Sequence, residues 1–241
     1  MRKLILPFLL LTGFYSCEES LNSTPENVKP TINQVVDGKK EGLHEIRKSD
    51  GSLRNEITYL DGQRHGLSTD YYDTGEKRME IDYVSGVKSG NVTWFHRNGE
   101  IYRVNPYVDG YIQGVQKKYY ENGQQMSELE LFQDLPGTGL KEWDRGGNEK
   151  KFKLKLVTKK TGDWVQVSLA SKKQSATFYI GELKQGKFMH NSLKDVTLGK
   201  GVGEFNMSEF KGKSTLDIIV KYKTYNKNPI IFVSTLKKSD L

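Results

Sequence analysis

The chain has 241 residues, 35% of them hydrophobic, with 13 Tyr, 10 Phe, 24 Gly and a formal net charge of +7. That length suits one or two domains with a thin core, and the Tyr, Phe and Gly content favours strands and turns over helices. Cys17 is the single cysteine, which excludes an intrachain disulfide and a cysteine-built metal centre.

The first element is MRKLILPFLLLTGFYSC. Arg2 and Lys3 precede an apolar run, Leu4 to Leu11, which Pro7 interrupts and which is too short to span a bilayer. Cys17 then stands where cleavage is expected. The segment resembles a bacterial lipoprotein signal, with Phe14 at a position where leucine is usual. The resemblance implies that residues 1–16 are removed and Cys17 is lipidated. The protein would then be held on a membrane of the bacterial cell envelope, facing the periplasm or the surface. Each buried CH₂ of such an anchor adds about 0.8 kcal/mol. Residues 17–36, poor in apolar side chains and carrying two prolines, read as a flexible tether.

From Asp37 to Glu149 the chain keeps a register of 24 residues. Glycines recur at Gly51, Gly75, Gly99, Gly123 and Gly147. A second series is Gly42, Gly66, Gly90 and Gly114, slipping by one to Gly139, and a third is Gly38, Gly62, Gly86 and Gly110. Aromatic columns run through Tyr71, Phe95, Tyr119 and Trp143, and through Tyr59, Tyr83 and Tyr107, with Leu131 closing the second. Glycine after Asp, Ser or Asn supplies the positive φ of tight turns. Between turns lie segments of strand length in which Met79, Ile81 and Tyr83 alternate with Glu80 and Asp82. Each copy is therefore expected to be a β-hairpin, and the copies an open antiparallel meander of about ten strands that stacks equivalent aromatics from unit to unit.

The pattern Gly62, Gly66, Tyr71-Tyr72, Gly75, Tyr83 resembles the MORN repeat, and more closely the bacterial variant of YwqK-type antitoxins. The resemblance covers residues 37–149. It implies an antitoxin or immunity role, exercised by binding a toxin through the array. Asn105-Pro106 departs from the pattern and points to a bulge or an edge. Leu135 to Gly139, one residue longer than its counterparts, reads as an end cap.

Residues 150–241 lose the period. Strands are expected at Lys151–Leu156, Trp164–Leu169, Thr177–Leu183, Val202–Met207, Thr215–Tyr222 and Ile230–Leu236, a set that suits a small β-sandwich. Phe205 to Tyr222 resembles the paired late strands of immunoglobulin-like bacterial modules. This part holds 19 Lys, no Arg and 7 acidic residues, whereas residues 37–149 hold 15 basic and 20 acidic ones. A nucleic-acid partner is not expected, because arginine is the residue that reads bases and phosphates bidentately and this basic part has none. An anionic envelope partner, or an acidic protein, fits the lysines better.

A catalytic set is not expected. His44, His65, His96 and His190 form no ligand-spaced pair and read as variable surface positions. Neither a nucleophile elbow nor a phosphate-cradling loop is present in the sequence. No cofactor and no metal is expected. Glu56, Glu80 and Glu128 share one repeat position, with Val104 in the third copy, on the face opposite Tyr59 and Tyr83. They read as a solvent-facing row, or else as paired carboxylates for acid–base or cation work. Tyr71, Phe95, Tyr119 and Trp143 read as the packing spine of the array, or else as a ligand groove. Together these seven residues form the expected binding surface. The reading is a non-enzymatic, lipid-anchored envelope protein with two interaction modules. An antitoxin is the first alternative and a glycan-binding or hydrolytic envelope module the second.

Overall fold

Two kinds of turn set the architecture. Asp37-Gly38, Asp61-Gly62, Ser85-Gly86 and Asp109-Gly110 each place two consecutive residues at positive φ, the signature of the two-residue hairpin turn that matches strand twist. Gln133-Asp134 adopts the same conformation without glycine, at φ 48° and 66°. The second kind closes three residues with the glycine amide donating three residues back: Gly51 to Lys48, Gly75 to Tyr72, Gly99 to His96, Gly123 to Tyr120 and Gly147 to Asp144. Glycine takes the left-handed position that ends such a loop.

The computed structural model describes residues 32–171 and 175–241; the signal segment, Cys17 and most of the tether lie outside the described residues. The array consists of β1 (Gln34–Val36), β2 (Lys39–Arg47), β3 (Leu53–Leu60), β4 (Gln63–Tyr71), β5 (Lys77–Val84), β6 (Val87–Phe95), β7 (Ile101–Val108), β8 (Tyr111–Ile112), β9 (Gly114–Tyr119), β10 (Gln125–Phe132), β11 (Leu135–Pro136) and β12 (Lys141–Glu142). They form one antiparallel sheet in chain order, with β8 on β7 and β12 on β10. The first strand takes residues 34–36 out of the stretch read as tether. β8 and β9 are split at Gln113, whose amide donates to the Pro106 carbonyl at 2.9 Å. The equivalent strands β4 and β6 are continuous, so the proline is where the ladder breaks.

A central row crosses the sheet in direct register: His44, Ile57, Ser68, Ile81, Val92 and Asn105. Gln116, opposite Leu129, extends it by donating to Asn105 Oδ1 at 2.8 Å. Val92 is fully buried, and Ile81 and Tyr83 pack with it. His44 is a correction to the surface reading of the histidines. It is buried, and its Nε2 donates to the Gln34 carbonyl at 2.9 Å, tying β1 to the sheet.

The C-terminal part comprises β13 (Leu156–Thr161), β14 (Trp164–Leu169), β15 (Thr177–Ile180), β16 (Lys194–Asp195), β17 (Thr197–Gly199), β18 (Val202–Asn206), β19 (Thr215–Lys223) and β20 (Pro229–Lys237). Sheet β13-β14-β18-β17 faces sheet β16-β15-β19-β20 across one core that includes Val165, Val167, Phe178, Phe205, Ile218 and Val220. This is the β-sandwich. Three sequence expectations are corrected. Lys151–Lys155 is not a strand, because the Thr161↔Trp164 turn pairs β14 with residues 156–161 and the ladder ends at Leu156↔Leu169, with a single further bond from Ala170 N–H to the Lys155 carbonyl at 2.9 Å. Residues 181–183 and Met207 fall outside β15 and β18. Phe205 and Thr215–Tyr222 lie in opposite sheets, so they are not a pair.

The array and the sandwich make one compact unit. At the end of the array, Phe188 N–H donates to the Pro136 carbonyl and Gly137 bridges Lys187, so the sandwich covers the β11 edge. Glu142, only 1% exposed, accepts from Thr224 Oγ1 (2.6 Å), Asn226 Nδ2 (3.2 Å) and Asn228 Nδ2 (2.6 Å) in the β19–β20 loop. Lys118 of β9 donates to Asn228 Oδ1 at 2.6 Å. Burial, then the charge of Arg103, lowers the Lys118 pKa, while the charge of Glu142 acts the other way.

Candidate functional site

On the face opposite the core row, a second row runs Glu45, Glu56, Thr69, Glu80, Thr93 and Val104 in register, and Glu128 lies between Lys117 and Lys141. The repeat position therefore does bring Glu56, Glu80 and Glu128 onto one face, separated by intervening strands. Each has a partner. Tyr71 donates to Glu56, Lys77 pairs with Glu80 at 2.7 Å, and Lys141 pairs with Glu128 at 2.7 Å. The Lys141 hydrogen bond is the main reason the Glu128 carboxyl sits below its usual range. Among the described residues, no group of three or more His, Cys, Asp or Glu is placed to hold a metal ion.

The column Tyr71, Phe95, Tyr119 and Trp143 is not a stack of rings. Its members sit two strands apart, about 9.6 Å, beyond the ~4.5–7 Å at which rings interact. The link from unit to unit comes from the next residue in the chain. Tyr72 Oη donates to the Phe95 carbonyl (2.7 Å), His96 Nε2 to that of Tyr119 (3.0 Å), and Tyr120 Oη to that of Trp143 (2.8 Å). The expected stacking is thus replaced by a ladder of side-chain hydrogen bonds. A second linkage stands Lys40 over Tyr59, Arg64 over Tyr83 and Lys88 over Tyr107, at 4.9, 5.4 and 5.2 Å from the ring centroids. Tyr71 itself has a raised pKa, first through burial and then through the hydrogen bond to Glu56 and the charges of Glu56 and Glu80.

Toward the two-residue turns, the carboxylate face becomes apolar. Leu60, Leu67, Val84, Val87, Val108, Tyr111 and Val115 are all exposed. Val84 opposes Val87 and Val108 opposes Tyr111, so these are direct cross-strand neighbours.

At the other rim, a cleft of about 590 Å³ collects Lys48, Arg54, Arg78 and Arg97 around Asp70, Tyr72 and Asp73. Bulges place two of these cations. The ladder register skips Arg54 and Arg78, which sit beside Asn55 and Met79. Lys48 pairs with Asp73 at 2.6 Å and Arg78 with Asp70 at 2.8 Å. Asn55 also donates to Asp70. The Lys48 hydrogen bond, above all, depresses the Asp73 pKa. Arg97 lies over the Tyr72 ring at 4.8 Å. The sequence reading missed this cleft. Its signal was the pair Arg54 and Arg78, one repeat apart and each two residues before a glutamate of the row.

A MORN repeat variant matches residues 112–133, one hairpin of the array. The neighbouring hairpins share the turns and the register of the matched one. No curated protein is significantly similar to the chain.

Proposed function

We propose that this is a non-enzymatic envelope protein, anchored by a lipid on Cys17, whose repeat sheet binds a protein partner. The exposed apolar stripe along the two-residue turns carries this reading. Contiguous exposed apolar surface marks interaction sites, and here it recurs at one repeat position as Leu60, Val84 and Val108. Asp61 and Asp109 in the adjoining turns favour a protein over an anionic bilayer. The ladder of Tyr72, His96 and Tyr120 at the opposite rim ties successive units of the sheet together, which lowers the ordering cost of binding. An antitoxin of the YwqK type is one form of this reading. Exported by the lipoprotein signal, it would meet its toxin outside the cytoplasm.

The test is photocrosslinking in membranes with the full chain. A photoreactive residue at Leu67 should capture a defined protein, and one at Leu198 of the sandwich should not. Capture from Leu198 alone would overturn the assignment to the array. Palmitate should label the wild type and not Cys17→Ala; equal labelling would remove the anchor.

A further inference from the structure

We propose that the cationic cleft of the first three repeats is a site for carboxylate side chains, and that it takes an acidic segment of the protein partner. The proposal rests on the reading of the array as a protein-binding surface. The array is acidic overall, with 15 basic against 20 acidic residues, yet this cleft gathers four cations around two carboxylates. Two cations are committed, Lys48 to Asp73 and Arg78 to Asp70. Two are not. Arg54 makes no side-chain hydrogen bond or ion pair among the described residues, and Arg97 lies over the face of Tyr72 without one, although its charge already acts on Asp73 and Glu76. A stacked guanidinium is pre-oriented, and its planar fork matches a carboxylate in a bidentate pair.

The remaining chemistry selects among anions. Asp70 and Asp73 lie in the same cleft and repel a dianionic phosphate more than a single carboxylate. They also offer acceptors to the amide groups that flank an acidic side chain in a peptide.

The experiment uses the full chain and a fluorescent ten-residue peptide of alternating Glu and Gly, with a Gln-Gly peptide as control. Fluorescence anisotropy should show at least tenfold tighter binding of the Glu peptide. The double variant Arg54→Ala, Arg97→Ala should lose at least tenfold, with an unchanged melting temperature, and the double Lys variant should recover part of the loss. Equal binding by wild type and the double Ala variant would overturn the proposal. So would arginine-dependent binding of phosphatidylglycerol vesicles, or of inorganic phosphate, in preference to the Glu peptide. If the peptide fails while Leu67 still captures a protein, the cleft assignment falls and the interaction reading stands. If Leu67 captures nothing, the broader reading falls as well.

Discussion

Replacing Glu142 by alanine should lower stability by about 3–5 kcal/mol, the cost of removing one partner from a buried charged network. The carboxylate is 1% exposed and accepts three hydrogen bonds from the β19–β20 loop, two of them at 2.6 Å. Hydrogen bonds to a charged group contribute about 1.5–3 kcal/mol each, offset by the cost of burying the charge. Without Glu142, Asn228 keeps its Lys118 contact and loses its acceptor, and Lys118 becomes a half-buried cation without its compensating charge, beside Arg103. Glu142→Gln keeps the shape and one acceptor, so it should cost less, about 1–3 kcal/mol. Adding Lys118→Met to the alanine variant should recover about 1 kcal/mol. Urea unfolding followed by tryptophan fluorescence and by circular dichroism measures all three. Coincident wild-type transitions should separate in Glu142→Ala, because the network joins array to sandwich. An alanine variant within about 1 kcal/mol of wild type would refute the network as the joint.

Gly203→Ala should destabilise the sandwich by at least about 1–3 kcal/mol through overpacking, since a Cβ there would lie 2.6 Å from Phe178 Cβ; thermal melting reports it. Tyr72→Phe and Tyr120→Phe should each cost about 0.5–1.5 kcal/mol, the net value of one hydrogen bond, and a neutral outcome in denaturant titration would remove the ladder as a source of rigidity. Tyr71 has a raised folded pKa, so its contribution is full below the ordinary value of 10.0 and is lost as pH rises through the folded value. In an absorbance titration at alkaline pH, the wild-type minus Tyr71→Phe difference should show a phenol ionising later than free tyrosine.

Several elements were legible because their causes are local. The Asp-Gly, Ser-Gly and Asn-Gly pairs dictate their own turns, and Trp164–Leu169 alternates between the core and the outer face of its sheet. Lys151–Leu156 alternates equally well, yet only Leu156 joins a strand, because a strand also needs a ladder partner and the pairing stops at Leu156↔Leu169. β16 and β17, polar and two or three residues long, carry no pattern to read. The carboxylate row was legible from the period alone. Its neutralisation was not, since Lys77, Lys141 and Tyr71 reach it through bulges and neighbouring strands.

The sequence by itself determined the repeat, its turns and which residues share a face, because each unit is a short-range pattern written several times over. Only the tertiary structure decided how the units are linked, where the cations gather and how the array ends. Those outcomes depend on contacts across one full repeat, as from Tyr72 to Phe95, or across 86 residues, as from Glu142 to Asn228. Periodicity carries no information about which distant side chain will satisfy a buried carboxylate.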